Sequence, residues 1–299
     1  MDLSNWQAAL PDSTVLSMIN LPGTHNSATQ FVSLSLLSRC QGKSILEQLE
    51  SGARLFDIRL ELSDGIFTAV HGIANCNSSK SRCSSLLSFD MIFNDIKTFI
   101  DLNPTETIIV SLKMDRGQNY DDFFPTFYKS FIEECPSVWF LENRIPNLDE
   151  CRGKMLLMRR CGLGKSKIIF NDLNSGVNCT GMNAQDEMKN ALTLPHKIKM
   201  FDNQSENIFI TVQDKYMYNP IAKWKKAVKP MLEHVKSDNK TIVINFLSTA
   251  GLPFIPFTNA KYVNSKFNRF LLTHTKPYGW IAFDFLTKEL AAKVINSNF

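Results

Sequence analysis

GARLFDIRLELSDGIFTAVHG, residues 52–72, is the stretch on which the fold turns. Arg54 to Leu62 and Ile66 to Val70 both read as strands, rich in branched and aromatic side chains. Only Ser63-Asp64-Gly65 joins them, whereas a parallel crossover takes at least ~10–12 residues. The two cannot be parallel neighbours with a helix between them, so strand two is expected to run past the rim of an irregular sheet. Asp57 and Arg59 stand two apart and therefore share one face of that strand. His71 follows directly on strand three.

Strands and helices alternate on either side. Val15 to Leu21 reads as a strand stopped by Pro22-Gly23. Ser44 to Gly52 reads as a helix, with Ser44 as N-cap, Glu47 as capping-box partner and Gly52 past its end. Further strands are expected at Thr107 to Leu112, Lys154 to Met158, Ile208 to Val212, Thr241 to Phe246 and Trp280 to Phe283. Helices are expected at Leu86 to Leu102, Tyr120 to Glu134, Pro220 to Val235, Asn259 to Leu272 and Lys288 to Ile295. Most strands finish in a polar or charged residue, as they do where a (β/α)₈ barrel gathers its active site. The expectation is α/β: a single irregular (β/α)₈ TIM barrel over residues 1–299, with Arg160 to Asn207 as a long excursion on the rim.

The bulk numbers agree with one such unit. The chain has 299 residues, 44% hydrophobic and 21% charged, enough apolar material for a large core. A formal charge of +4 without a concentrated basic stripe argues against nucleic acid as a partner. No stretch approaches the ~20 apolar residues of a transmembrane helix. The start, Met-Asp-Leu-Ser-Asn-Trp6, lacks the basic-then-apolar pattern of a signal peptide. Localisation is expected to be secreted, with the leader absent from this chain; an intracellular protein is the alternative. Seven cysteines are odd in number and too sparse for a disulfide scaffold. Cys76 and Cys83 bracket a small polar loop and could close a bridge. No His/Cys cluster has zinc spacing.

The chemistry sits in short polar islands. Leu21-Pro-Gly-Thr-His25-Asn26, the Asp57-Ile-Arg59 strand and His71-Gly72 place two histidines and an arginine near strand ends. A phosphodiester repels an anionic nucleophile, so its cleavage calls for a base, an acid and a cation on the phosphoryl oxygens. Histidine gives or takes a proton near neutrality, and arginine supplies fixed positive charge. Each residue singly has a structural use: a turn-capping histidine, an Asp57–Arg59 ion pair, a solvated Lys113.

The ordered set is another matter. "LPGTHNSAT" at 21–29, "RCQGKSILEQLESGARLFDIRLEL" at 39–62, "VHG" at 70–72 and "NPTETIIVSLKMD" at 103–115 resemble the X-type catalytic domain of phosphatidylinositol-specific phospholipase C, of the bacterial, metal-independent type. "RGKMLLMRR" at 152–160, "TVQDKY" at 211–216, "INFLS" at 244–248 and "GWIAFDF" at 279–285 continue the likeness. The resemblance implies His25 as general base, His71 as general acid, Arg59 as the phosphoryl cation, and Asp284 as the carboxylate orienting His25. Asp57 supports Arg59 and the histidines. Lys113, Arg160 and Asp214 fall on positions that hydrogen-bond inositol, and Tyr216 on the one that stacks on its ring. The implied products are diacylglycerol and inositol 1,2-cyclic phosphate.

Calcium-dependent relatives carry an acidic residue where Arg59 stands, so the resemblance implies no cofactor and no metal. Asn26 with Asp57 is half of a calcium site, which keeps Ca²⁺ as the alternative. The partner is phosphatidylinositol in membranes, met by transient surface binding of a monomer. Two apolar segments suit that contact: Phe31 to Leu37, and Leu252 to Phe257, which includes Phe254 and Ile255. Competing functions are cleavage of glycosylphosphatidylinositol anchors and a catalytically silent headgroup-binding domain. A glycerophosphodiesterase should show a Glu-X-Asp pair where this chain has Asp57-Ile-Arg59.

Overall fold

The computed structural model describes residues 2–81, 83–166, 171–184, 186, 196–199, 208–252, 255–271 and 278–299. Among them one twelve-stranded sheet carries the fold. Its strands are β1 (Leu21–Thr24), β2 (Leu55–Ser63), β3 (Ile66–His71), β4 (Ala74–Asn75), β5 (Thr107–Arg116), β6 (Trp139–Phe140), β7 (Lys154–Arg159), β8 (Val177–Asn178), β9 (His196–Lys199), β10 (Phe209–Gln213), β11 (Thr241–Phe246) and β12 (Trp280–Phe283). The described helices are α1 (Ser35–Ser38), α2 (Ile45–Glu50), α3 (Phe89–Leu102), α4 (Tyr120–Phe127), α5 (Leu148–Cys151), α6 (Pro220–Lys223), α7 (Lys229–His234), α8 (Pro256–Leu271) and α9 (Lys288–Asn296). Strand order is β6-β7-β5-β2-β1-β12-β11-β10-β9, parallel except for β9 against β10.

Alternation along the strands builds two cores. Leu55, Ile109, Leu156, Ile210, Ile244 and Trp280 join one cluster. Their sequence neighbours Phe56, Ile108, Val110, Leu157 and Ile281 join another, together with Leu49 of α2, Ile96 of α3, Phe267 of α8 and Ala291 of α9. A sheet buried on both faces needs this continuous apolar reading. The first cluster takes side chains from β7 and from β10, which are far apart in strand order, so the sheet curls round an inner apolar layer.

Strands two and three form an antiparallel hairpin, Leu60 facing Ala69 and Ser63 facing Ile66. Its turn residues Asp64 and Gly65 both have positive φ, 51° and 76°, the form that matches the twist of two-residue hairpins. Phe67 anchors the hairpin outside the sheet by edge contacts to Phe123, Phe127 and Phe131. Helix α2 carries the expected capping box between Ser44 and Glu47.

Several expectations are corrected. Val15 to Leu21 is not a strand: Leu16–Met18 is a 3-10 turn, and pairing starts at Leu21. Leu16 and Ile19 are drawn into the inner cluster, which they could not fill from an extended chain paired on both edges. The Tyr120 and Pro220 helices each pass into a π-helical stretch, Tyr128–Glu133 and Trp224–Val228. Helix α3 starts late, at Phe89, because Ser88 caps it by accepting Met91 N–H. Cys76 and Cys83 are both free, one buried and one exposed, so they form no bridge. The 160–207 excursion lies partly outside the described residues; within it, β8 pairs β7 and β9 pairs β10.

Candidate active site

The inner-face alternation that fills the core becomes polar at the C-terminal ends of the strands. Leu55 is followed on the same face by Asp57 and Arg59, and Ile109 by Ser111 and Lys113. Val212 leads likewise to Asp214, and Ala282 to Asp284. These ends surround a cleft of about 480 Å³ lined by His25, Arg59, His71, Lys113, Arg160, Asp214, Tyr216 and Asp284. The sequence-predicted catalytic and ring-binding residues thus converge on one site. Asp57 and Asn26 lie just beneath, both buried.

His25 stands one residue past β1, and its N–H donates to Phe283 O of β12 at 2.9 Å. That register brings its Nδ1 to 2.7 Å from Asp284 Oδ1. Donation of Nδ1–H to the carboxylate leaves the lone pair on Nε2, which Asn26 Nδ2 meets at 3.0 Å. Asn26 holds φ 43°, a left-handed conformation asparagine tolerates. Gln41 locks the turn from behind, its Nε2 donating to both His25 O and Phe283 O at 2.8 Å.

His71 arrives at the opposite wall on the returning hairpin. Its Nδ1 lies 2.8 Å from the main-chain carbonyl of Ser38, leaving Nε2 to face a ligand. The rings of His25 and His71 are 6.3 Å apart, centre to centre. Burial first, and then the positive charge of His25 and Arg59, lower the His71 pKa from its ordinary value. Gly72, with φ 55°, turns the chain back, and its N–H donates to Asp115 Oδ2 at 2.8 Å. Asp115 is free to do so because the β2–β5 register skips it: Leu60 pairs Met114 and Glu61 pairs Arg116. Such a bulge re-aims a side chain.

The same cleft carries a lattice of charged side chains. Arg59 Nε donates to Asp57 Oδ2 at 3.0 Å, Arg160 Nη1 to Asp57 Oδ1 at 3.0 Å, and Asn26 N–H to Oδ2 at 3.2 Å. Burial alone would push the Asp57 carboxyl up; Arg59 and then Arg160 outweigh it and hold it well below the usual carboxylate range. Asp115 pairs with Lys113 at 2.9 Å and Arg59 at 3.7 Å. Burial raises its pKa, but Arg59 and Lys113 bring it down to about 2. Two guanidiniums thus take both oxygens of Asp57.

Leu37, Gly72, Tyr216 and Pro256 also line the cleft. Beside them Leu36, Ile73, Met217, Leu252 and Phe257 are exposed apolar side chains. Phe31 does not join them; it is half-buried and lines a small cavity with Ile45 and Leu87. Ile255 is half-buried, Phe257 packs edge-on against Phe285, and Phe254 lies outside the described residues. Sequence reasoning missed Asp115, Gln41 and the Ser38 carbonyl. Asp115 and Gln41 stand inside quoted motifs and could have been flagged there; a main-chain carbonyl leaves no letter in the sequence.

The fold and site define a curled α/β protein with two histidines and an arginine lining one cleft at its C-terminal strand ends. Residues 22–161 match the family model "phosphatidylinositol-specific phospholipase C, X domain". That match covers 140 of the 299 residues of this chain. It is 28% identical over 310 residues to a 1-phosphatidylinositol phosphodiesterase of Listeria monocytogenes, covering 98% of this chain and 84% of that protein. A protein of the same name from Staphylococcus aureus is 27% identical, covering 98% and 94%. The solved phosphatidylinositol-specific phospholipase C of S. aureus superposes with TM-score 0.81 at 23% identity, over 100% of this chain and 98% of that one. The L. monocytogenes enzyme gives 0.77 at 24%, over the full length of both. These likenesses establish the fold.

Proposed function

We propose that this chain is a phosphatidylinositol-specific phospholipase C that cleaves its substrate through attack of the inositol 2-hydroxyl, giving diacylglycerol and inositol 1,2-cyclic phosphate. One observation carries the reading: two histidines, each anchored through Nδ1 with ring centres 6.3 Å apart, line one cleft together with Arg59. His25 takes the proton of the attacking hydroxyl, with Asp284 fixing its tautomer and stabilising the imidazolium that forms. Attacking oxygen and phosphorus belong to one molecule, so the step gains from proximity. Arg59 meets the charge on the non-bridging oxygens, and its partners Asp57 and Asp115 keep it charged and aimed. His71 protonates the departing glycerol oxygen. Lys113, Arg160 and Asp214 hold the ring hydroxyls, and Tyr216 covers the ring face.

No metal enters this scheme, since Arg59 supplies the positive charge a calcium ion would bring. The curled sheet is read as an irregular (β/α)₈ barrel. The exposed apolar side chains beside the cleft suit a monomer that docks transiently on the membrane. The test is incubation with phosphatidylinositol vesicles followed by phosphorus NMR of the soluble products. A cyclic phosphate signal is expected, lost by two to four orders of magnitude in His25→Ala and His71→Ala that keep the native fold, on the order of general acid–base contributions. Direct appearance of the acyclic phosphate would refute 2-hydroxyl attack. No release, with vesicle binding intact, would favour a headgroup-binding module.

A further inference from the structure

Asp214 and Tyr216 lie on the segment that leaves β10, and that segment is pinned from below by a residue outside the cleft. Lys223, the last residue of α6, is fully buried. Its Nζ donates to Gln213 Oε1 at 2.9 Å and to Lys215 O at 3.0 Å. Gln213 Oε1 also accepts Lys215 N–H at 2.9 Å, so the side chains of Lys223 and Gln213 hold both peptide groups of the residue between Asp214 and Tyr216. Gln213 is itself fixed, donating Nε2 to Asn245 Oδ1 at 2.6 Å and to Phe246 O at 2.8 Å. Asn245 Nδ2 returns to Val228 O at 3.2 Å, inside the π-helical stretch that follows Lys223. On the far side, Tyr216 O accepts Ala250 N–H at 2.8 Å and the Thr249 hydroxyl at 2.9 Å.

An ammonium is expensive to bury. Burial pushes Lys223 down to about 8, partly offset by Asp214, Asp284 and Asp186, so it remains a cation at neutral pH. An apolar residue could fill its place if packing were all it provided. What the cation adds is a strong, charge-assisted hold on two oxygens of the ring-binding segment.

We propose that Lys223 is a positioning residue of the ring-binding subsite, clamping Gln213 and the Lys215 carbonyl so that Asp214 and Tyr216 are presented together to a polyhydroxylated ring. This rests on the reading of Asp214 and Tyr216 as inositol contacts. The lysine touches no substrate and acts only through the segment it holds, so its loss should weaken ring binding more than it slows the chemistry.

The experiment compares the wild type with Lys223→Met, Lys223→Arg and Asp214→Asn, all checked for native circular dichroism. KM and kcat are read on a water-soluble inositol phosphodiester, and the inhibition constant of myo-inositol is read alongside. Lys223→Met should raise the myo-inositol constant and KM roughly 10-fold, as loss of hydrogen bonds from a charged donor does, with kcat within about 3-fold of wild type. Lys223→Arg should recover part of the loss. A Lys223→Met protein with unchanged ring affinity, or with kcat falling as far as KM rises, would make the lysine purely structural and overturn the proposal. Asp214→Asn separates the two layers: if it too leaves ring affinity unchanged, the inositol reading fails; if it alone weakens binding, only the role of Lys223 fails. Should Lys223→Met not fold, Thr249→Val removes one of the two hydrogen bonds that hold the Tyr216 carbonyl from the other side. Weaker myo-inositol binding there supports the pinned segment, and unchanged binding overturns it.

Discussion

Arg59 holds Asp57 two residues away on the same strand, with Nε and Nη2 both 3.0 Å from Asp57 Oδ2, while Arg160 takes the other carboxylate oxygen. Both oxygens of Asp57 are thereby engaged by guanidinium groups. Turnover on phosphatidylinositol vesicles should therefore persist in excess chelator and gain nothing from added Ca²⁺. Arg59→Lys keeps a charge but loses the planar fork, and kcat should fall roughly 10²- to 10³-fold, the scale of losing one preorganised donor. A strict calcium requirement would reassign Asn26 and Asp57 as metal ligands.

The pH profile should separate free protein from complex. His71 must carry a proton to act as acid, yet burial and then the charges of His25 and Arg59 hold its pKa below the ordinary histidine value. An anionic phosphodiester beside it favours the protonated form. kcat/KM, which reports the free protein, should decline as pH rises through a value below that of ordinary histidine. kcat, which reports the complex, should hold to higher pH. Coincident alkaline limbs on a soluble inositol phosphodiester would show that the substrate does not restore the proton.

At the opposite end of the strands, Arg54 is buried with all of its donors engaged. Nε meets Glu106 at 2.7 Å, and the Nη atoms meet the carbonyls of Leu49, Ala53, Leu3 and Ser4. Glu106→Gln leaves this guanidinium without its counter-charge. Denaturant unfolding should show a loss of about 3–5 kcal/mol, with kcat of the folded protein unchanged because the site lies at the other strand ends. A loss under ~1 kcal/mol would mean that the carbonyls alone satisfy the arginine.

Membrane contact should reside in side chains that the fold leaves uncovered. Helix α1 buries none of its residues, and Leu36 and Leu252 are 66% and 83% exposed. Leu36→Ser with Leu252→Ser should lower partition onto phosphatidylinositol vesicles by roughly 10-fold or more, from lost apolar insertion. Turnover of a soluble substrate and thermal stability should stay near wild type. Equal loss on vesicles and on the soluble substrate would place these leucines in the site's architecture instead.

Much of this molecule could be read one residue at a time, and the exceptions share a cause. Strand alternation, the Ser44–Glu47 capping box and the short joint at Ser63-Asp64-Gly65 are local, encoded in side chains a few positions apart, so the sequence by itself determined most of the longer strands and helices and excluded a parallel crossover between β2 and β3. It also determined which side chains stand at the strand ends, because period-two alternation carries Leu55 to Asp57 and Arg59. Leu16–Met18 was misread because an apolar run does not say whether its burial comes from strand pairing or from plugging a core. Only the tertiary structure decided that His25 and Asp284, 259 residues apart, share a hydrogen bond. It alone decided that a skipped register frees Asp115, that Ser38 lends His71 a carbonyl, and that Lys223 lies against the segment carrying Asp214 and Tyr216. Those relationships depend on which backbone atoms meet when the sheet curls, and backbone atoms are the same in every residue.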